Sequence, residues 1–384
     1  MRFPRLTIDL DRLEDNARQV SQWYRARGVR PIVVSKAILG CPEIVNRWLS
    51  TGVDTVADSR VENIRRMKNA GVDATFVLLR TPLSQVTDVV KTVDISHASD
   101  LTLMEAIGQA SRNLGKKHKV IIVVETGDMR DGVLPSEFQS FFVRASKIEG
   151  IQIKGVSTNM GCVSGDPPTE NQIQTLCELV SKTEAVYGHQ MEIVSGGSSS
   201  AHDWIMLQKN CSPFNEARIG ELILLGREPL SQRSVDGLST AGFRLFAEVI
   251  EERVKPTGEQ VLSTKLDAKK STRRAVLALG RQDVDLDGLK PNGPFEVVGG
   301  SSDHVVLDSS PSPLKVGDVV EFRLNYPALV AAMTCPFVQK EFVGSGEIAQ
   351  LTNLIERPEP TRPFKIDAPH VLNESVRQTK SDSQ

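Results

Sequence analysis

Residues 32–36 read Ile-Val-Val-Ser-Lys, a short β-branched run that ends on a lysine and is followed by Ala-Ile-Leu-Gly. Such a run predicts a buried strand. Lysine is almost never fully buried without a partner, because desolvation disfavours the ammonium and lowers its pKa. A desolvated lysine can act as a base or form a Schiff base. A lysine at a strand end also commonly extends its ammonium into solvent, so the run alone leaves both interpretations open.

Similar β-rich runs alternate with helical patterns up to about residue 230. The predicted strands are 31–35, 54–57, 75–79, 92–96, 119–125, 152–157, 191–195 and 216–219. The predicted helices lie near 10–27, 42–51, 60–70, 83–91, 98–113, 136–148, 169–187 and 200–209. Eight alternations predict an α/β fold, a (β/α)₈ TIM-type barrel. A doubly wound open sheet is the alternative, but the first strand is not followed by the glycine-rich loop of a dinucleotide site.

The pattern changes after about residue 235. Short β-branched runs broken by Gly, Pro and Asp predict a C-terminal all-β domain over 236–350, after a barrel domain over 1–235. Residues 351–384 are polar and contain several prolines, which predicts a weakly ordered tail. The basic cluster at 269–274 is interpreted as a solvated turn.

Composition narrows the possible partners of the chain. Its 384 residues carry a net charge of −2, with 40% hydrophobic and 24% charged residues. We therefore expect neither a nucleic acid nor a membrane as partner. No apolar signal segment is evident, and the five cysteines lack Cys-x-x-Cys spacing. These features predict a cytoplasmic protein with free thiols and no metal site built on cysteine.

Two polar loops follow the seventh and eighth predicted strands, where barrels of this type commonly bind phosphate. The first reads Ser195-Gly196-Gly197-Ser198-Ser199-Ser200, and the second reads Arg218-Ile219-Gly220-Glu221. Glycine allows backbone N–H groups to approach an anion closely, and the hydroxyls add donors. Each loop alone is compatible with a plain turn, but together they favour a phosphate site.

Lys36 near a phosphate site suggests pyridoxal 5′-phosphate as cofactor. This cofactor requires a lysine, a phosphate site and a group that faces its ring nitrogen. Arg218 is the candidate for that last group.

Several segments resemble the alanine racemase family of fold-type III pyridoxal phosphate enzymes over about residues 5–345. Val33-Val34-Ser35-Lys36-Ala37 is similar to the family's lysine motif, and later motifs follow in the family's order. These are Thr126-Gly127-Asp128-Met129-Arg130-Asp131-Gly132, Ser157-Thr158-Asn159, Gly197-Ser198-Ser199 and Arg218-Ile219-Gly220. Four segments are most similar to the ornithine racemase-like branch: 58–63, 195–200, 279–285 and 301–304.

The resemblance implies a homodimer in which the β domain of one protomer completes the site of the other. Lys36 would hold the cofactor and act as base on one face of the substrate α-carbon. Arg218 would face the pyridine nitrogen, Arg130 would lie near the site, and Asn159 would replace a histidine that packs on the ring. The remaining residues implied to bind the cofactor are Gly197, Ser198, Ser199, Ile219 and Gly220.

One family residue is absent from the chain. The tyrosine that serves as the opposite-face base lies in a segment that here reads Gly280-Arg281-Gln282-Asp283. A two-base reaction still needs a second acid or base. The candidates are Tyr326, His304 and Asp283. Asp283 could instead orient Arg281, and the sequence does not separate Tyr326 from His304.

The predicted reaction is racemisation of ornithine or another basic or broadly chosen amino acid. One alternative is a zinc-dependent D-serine dehydratase or D-threonine aldolase, but residues 325–328 read Asn-Tyr-Pro-Ala where a second zinc ligand would be needed. Another alternative is a non-catalytic carrier of pyridoxal phosphate, a class that lacks the β domain. Acidic residues near the motifs are expected to be solvated at the surface: Asp58, Glu62, Asp128 and Asp131.

Overall fold

A computed structural model describes residues 2–188, 190–256 and 271–344. Its strands, in chain order, are β1 Arg5–Asp9, β2 Arg30–Val34, β3 Thr55–Asp58, β4 Thr75–Leu78, β5 Ile95–Ala98, β6 His118–Val124, β7 Ile151–Thr158, β8 Ile193–Gly196, β9 Glu216–Ile219, β10 Phe243–Pro256, β11 Ser271–Leu277, β12 Leu289–Pro291, β13 Glu296–Gly300, β14 Val305–Asp308, β15 Val319–Leu324 and β16 Gln339–Val343. Its helices are α1 Leu10–Arg25, α2 Pro42–Leu49, α3 Val61–Asn69, α4 Val86–Thr92, α5 Leu101–Asn113, α6 Phe138–Ala145, α7 Glu170–Tyr187, α8 His202–Leu207, α9 Glu221–Leu225 and α10 Tyr326–Thr334. No helix within these ranges is both long and apolar enough to span a membrane.

Strands β2 to β9 form a closed parallel barrel in sequence order. The barrel closes where β2 pairs with β9, in a register that places Ile32 opposite Arg218. The strands are rich in β-branched residues because helices cover their outer faces and side chains fill their inner faces. The predicted (β/α)₈ barrel is therefore confirmed. The strand predicted at 92–96 begins only at Ile95, because α4 continues to Thr92.

The second sheet has the strand order β12-β15-β10-β11-β14-β13. Strand β1 also belongs to it, pairing antiparallel with β10 and parallel with β16. The chain thus begins in the β domain before it enters the barrel. The boundaries predicted at 235 and 350 stay predictions, and the predicted tail 351–384 lies outside the described residues.

The basic cluster at 269–274 was wrongly interpreted as a turn in its described part. Residues 271–274 open strand β11, in which Arg273 binds Glu252 at 2.9 Å and Arg274 binds Asp308 at 2.8 Å. Acidic partners on neighbouring strands allow these arginines to lie within a sheet.

The C-terminal domain, predicted to be all-β, contains one helix among its described residues, α10. Asn325 caps it by accepting from the N–H of Ala328, and Pro327 lies in its first turn, where a missing N–H costs nothing. The helix packs against a 3₁₀ turn at Lys36–Ile38. It therefore places its first residue, Tyr326, beside the lysine of the barrel.

Buried Asn16 connects α1 to the segment between the barrel and the β domain. Its amide nitrogen donates to the carbonyls of Ile223 and Ser239, at 3.1 and 2.9 Å, and its oxygen accepts from the N–H of Ser239 at 2.7 Å. These bonds satisfy backbone groups that are buried or partly buried. The side chain thus fixes the chain where it leaves the barrel.

We expect Asn16→Ala to lower the free energy of unfolding by about 2 kcal/mol, because it leaves buried backbone groups unpaired. Urea denaturation of the purified protein measures this loss. The control is Asn113→Ala, at the exposed end of α5, which should change stability by no more than about 0.5 kcal/mol. Equal midpoints for the two variants would contradict the role given to Asn16.

Candidate active site

Lys36 follows the first barrel strand and opens the 3₁₀ turn at its end. The preceding residue, Ser35, is buried and donates to Asp58 Oδ2 at 2.6 Å. Asp58 also accepts from the N–H of Arg60 and from Asn63 Nδ2, so it fixes the ends of two neighbouring strands. Lys36 itself is open to a cavity but enclosed by its walls. This partial desolvation lowers the pKa of its amine, which nearby Arg130 and Arg218 lower further, against opposing contributions from Cys162 and Asp58.

Arg218 lies buried in β9 and joins the ends of three strands. Its guanidinium donates to Ser195 Oγ at 2.6 Å, to the carbonyl of Thr158 at 2.5 Å and to Asn159 Oδ1 at 3.0 Å. Burial lowers its pKa, although arginine keeps its charge in proteins. A cation therefore occupies a fixed position at the carboxyl end of the barrel.

The two loops predicted to bind phosphate are joined by Ser199. Its hydroxyl accepts from the N–H groups of Gly220 at 3.1 Å and Leu222 at 3.3 Å. Gly197 adopts a φ of 97°, a conformation that side chains disfavour. Ser198 lies at the cavity wall, and its hydroxyl is 2.9 Å from that of Ser200. The loops after β8 and β9 thus form one surface rich in hydroxyl and amide groups, joined by the bonds to Ser199.

A cavity of about 670 Å³ lies above these loops at the carboxyl end of the barrel. It brings together most of the predicted barrel residues and Tyr326 of the β domain. Those that line it are Lys36, Arg130, Asn159, Ser198, Ser199, Arg218, Gly220 and Tyr326. Predicted residues that do not line it are Gly197, Ile219, Arg281, Asp283 and His304.

The last three of these residues lie together elsewhere in the β domain. The N–H of Arg281 donates to the carbonyl of Ser301 at 3.0 Å, which holds the loop of Arg281 beside the loop of His304. Asp283 is buried and accepts from the N–H of Gly280 at 2.9 Å. Two of the segments that carry the predicted opposite-face residues therefore lie side by side in the β domain, and the predicted residues do not line this chain's own cavity.

Tyr326 lies beside Lys36 at the start of α10. Burial raises the pKa of its phenol, and the neighbouring carboxylates of Glu221 and Asp58 raise it further. The hydroxyl is thus protonated at neutral pH and can donate a hydrogen bond into the cavity.

Arg130 approaches the cavity from the loop after β6. Its Nε lies 2.8 Å from Asp131 Oδ1 and 4.0 Å from Asp128 Oδ2. Asp128 is 1% exposed, and its Oδ1 accepts from the N–H groups of Cys162 and Val163 at 2.7 and 2.9 Å. The expectation of a solvated surface role was therefore wrong for Asp128, and also for Asp58, because both carboxylates accept buried hydrogen bonds.

Among the titratable residues that line the cavity, four were given no role from the sequence: Arg80, His97, Cys162 and Glu221. His97 is buried in β5, and its Nε2 has no hydrogen-bond partner among the described residues. Burial lowers the pKa of His97 well below its usual value, as do Arg218 and Arg130, so the ring is neutral. A histidine inside a strand of the predicted barrel was the available indication, since such strands are otherwise apolar.

These residues fit pyridoxal 5′-phosphate. The cavity has the volume of a small-molecule site. It offers an amine with a lowered pKa, a fixed arginine and a surface of hydroxyl and amide donors suited to a phosphate. The unpartnered Nε2 of His97 is a further polar atom in its wall. Within the ranges that the structure describes, no three His, Cys, Asp or Glu side chains cluster as metal ligands.

The sequence profile described as "Alanine racemase, N-terminal domain" matches residues 8–228. The chain is 37% identical to a lysine racemase of Thermotoga maritima over 353 residues, which cover 89% of this chain and 99% of that protein. It is 33% identical to an ornithine racemase of Acetoanaerobium sticklandii, covering 89% of this chain and all of the other. An alanine racemase structure from Clostridium difficile superposes with a TM-score of 0.70 at 18% identity, over 93% of this chain and 100% of that one.

The profile covers more than half of the chain, and the two relatives align over nearly its whole length. The structural likeness agrees with the barrel and the β domain described above. The chain belongs to the alanine racemase family of pyridoxal 5′-phosphate enzymes.

Proposed function

We propose that the chain is a pyridoxal 5′-phosphate-dependent racemase that acts on a basic amino acid. The observation that carries this proposal is the single cavity shared by Lys36, Arg218 and the serine loop after β8. The names of the two relatives, lysine racemase and ornithine racemase, support a basic substrate. When bound, the cofactor withdraws electrons from the amino acid and makes the proton on its α-carbon labile.

Lys36 acts on one face of the α-carbon. It would hold the cofactor, and its amine would take the α-proton from one enantiomer or return it to form that enantiomer. Enclosure in the cavity lowers the pKa of Lys36, so a larger fraction of its amine is neutral. A neutral amine can accept the α-proton. The strand end that carries it is held by the bond between Ser35 and Asp58.

Arg218 is the residue that would hold the ring nitrogen of the cofactor. A guanidinium does not release its proton, so it donates to that nitrogen without protonating it. An unprotonated ring would withdraw electrons less strongly, so this arginine would favour return of the proton to the α-carbon over its transfer to another atom. Bonds to Thr158, Ser195 and Asn159 hold the guanidinium in this role.

The opposite face requires a second acid or base, which we assign to His304 of a second copy. Tyr326 begins a helix that packs on the turn of Lys36, and so it lies on the side of that lysine. We assign it to cofactor binding. His304 does not line its own cavity, and histidine is the side chain that most often serves as a general acid or base. Asp283 is bonded inside the β domain and supports the loop of Arg281.

This assignment requires a homodimer with shared sites, which we also propose. Met129 and Val163, which neighbour the cavity-lining Arg130 and Cys162 along the chain, are 82% and 60% exposed. Phe337 and Val298 of the β domain are 65% and 52% exposed. Exposed apolar side chains are typical of surfaces that another protein covers. We also propose a cytoplasmic location, which the five unpaired cysteines support.

Lys36→Ala should abolish both the visible absorbance of the bound cofactor and all racemisation, because the attachment point and one base are lost together. Absorbance spectra measure the first effect, and loss of the α-proton signal of lysine and ornithine in D₂O by NMR measures the second. Lys91→Ala, which changes an exposed lysine of α4, is the control and should keep both. Racemisation by Lys36→Ala would contradict the proposal.

His304→Gln should stop α-proton exchange from one enantiomer while exchange from the other continues, because Lys36 still serves its own face. Tyr326→Phe should instead weaken cofactor binding and slow both enantiomers alike. Exchange of the L- and D-substrates in D₂O, followed separately, distinguishes the two patterns. If Tyr326→Phe stopped exchange from one enantiomer only and His304→Gln slowed both alike, Tyr326 would be the acid or base of the opposite face.

Mixed dimers test whether the site is shared. Dimers selected through both tags, after co-expression of differently tagged Lys36→Ala and His304→Gln subunits, should regain up to about half of the wild-type racemisation, since one of the two sites in each mixed dimer is intact. Each variant alone should stay inactive in racemisation. If the mixed species stays inactive too, the two residues act within one chain. Racemisation by His304→Gln alone would show that His304 has no role.

A further inference from the structure

The cavity carries two carboxylates among the described residues, Asp131 and Glu221. The proposed function requires a partner for the side-chain ammonium of a basic amino acid, and the inference below rests on that proposal. A buried or half-buried cation needs a paired anion, because an unpaired ammonium loses its hydration at considerable cost. The two carboxylates differ in whether their charge is already balanced.

Asp131 is balanced by an arginine. Its Oδ1 lies 2.8 Å from Arg130 Nε, and the same oxygen is 3.4 Å from Asn159 Nδ2. The pair occupies the loop after β6, where it sets the direction of the Arg130 guanidinium. An ammonium bound to Asp131 would have to share this carboxylate with Arg130, and the two cations would repel each other.

Glu221 has no such partner. It is the first residue of α9, directly after Gly220, and it forms no ion pair with any residue that the structure describes. Its Oε1 accepts from Gln232 Nε2 at 3.0 Å. Oε2 makes no hydrogen bond within the described ranges, and the residue is only partly exposed. Glu221 therefore presents a carboxylate whose charge is not balanced.

The surroundings of Glu221 hold its side chain in place. Gln232 adopts a φ of 57°, which is uncommon for a residue other than glycine, and also donates to the carbonyl of Pro229 at 2.7 Å. Glu228 orders the same loop by accepting from the N–H groups of Leu230 and Ser231. The carboxylate of Glu221 is thus fixed from one side by a well-bonded loop.

The electrostatic setting favours a cation near Glu221. Burial raises the pKa of this carboxyl and nearby Glu228 raises it further, whereas Gln232 and Lys36 lower it. Lys36 is committed to the cofactor and carries less positive charge than a solvated lysine. A cation brought by the substrate would offset the cost of keeping this carboxylate ionised.

We propose that Glu221 binds the side-chain ammonium of the basic amino acid and thereby selects lysine or ornithine over neutral substrates. The carboxylate lines the same cavity as Lys36, so one amino acid can present its α-carbon to the lysine and its distal ammonium to Glu221. The residue is a specificity determinant and takes no part in proton transfer.

Glu221→Gln tests this role in the holoenzyme. The amide keeps the shape of the side chain and an oxygen that accepts from Gln232, but it removes the charge. We expect kcat/KM for lysine and ornithine to fall about 10- to 100-fold, mainly through KM, because a hydrogen bond between charged groups is lost. The kcat/KM for norleucine, which has no distal ammonium, should stay within about twofold.

Binding gives a readout that does not depend on turnover. The change in cofactor absorbance on addition of lysine or norleucine gives a Kd for each, and only that for lysine should rise in Glu221→Gln. The cofactor absorbance and the thermal midpoint of the variant establish that it is folded. Glu62→Gln is the matched control, since Glu62 is exposed on α3, binds Gln85 and does not line the cavity.

Parallel losses for lysine and norleucine, or unchanged kinetics for lysine, would overturn the inference. If Asp131→Asn selectively lost activity on lysine, the ammonium would be assigned to Asp131. That result would also overturn the role proposed for Glu221. If the wild-type enzyme racemised norleucine with the same kcat/KM as lysine, the racemase function would stand, but the role of Glu221 would be refuted. Wild-type enzyme that exchanges the α-proton of no amino acid refutes the proposed function itself.

Discussion

A buried guanidinium has to be hydrogen-bonded on several sides, and Arg218 imposes this requirement on the carboxyl end of the barrel. Its partners come from the ends of β7 and β8 and from the residue after β7, so these strands must end at the same level. The loops that follow then meet in one place, where Ser199 joins them through the N–H groups of Gly220 and Leu222. The position of the donor-rich surface beside Lys36 follows from that convergence.

The barrel was predictable because its information is local. Each strand is a β-branched run and each helix an amphipathic one, so eight alternations indicate the fold before any long-range contact is known. Strand β1 and helix α10 were not predicted. The first is five residues long and gains its partners from β10 and β16, more than 200 residues away. The second is defined by its Asn325 cap and by packing on the Lys36 turn, neither of which leaves a periodic pattern.

Some residues of the candidate site could be predicted from the sequence, and others could not. Lys36, Arg218 and the serine loop were found because strand ends of a barrel converge, which makes order along the chain a guide to position in space. Glu221 was quoted only as the end of a motif, since nothing in the sequence indicates that its charge is left unbalanced. Buried Asp58 and Asp128 look like ordinary surface carboxylates until the backbone N–H groups that they satisfy are seen. The predicted residues of the β domain that do not line this chain's own cavity need a second copy before their position relative to a cavity has a meaning.

Asp128 has a mechanical consequence for the mouth of the cavity. One of its oxygens accepts from the loop of Cys162 and Val163, while the other faces the guanidinium of Arg130. Because the carboxylate is buried, neither loop can move away without exposing or orphaning a charge. The two rims of the opening are therefore coupled, and entry of an amino acid has to displace them as one body or pass between them as they stand.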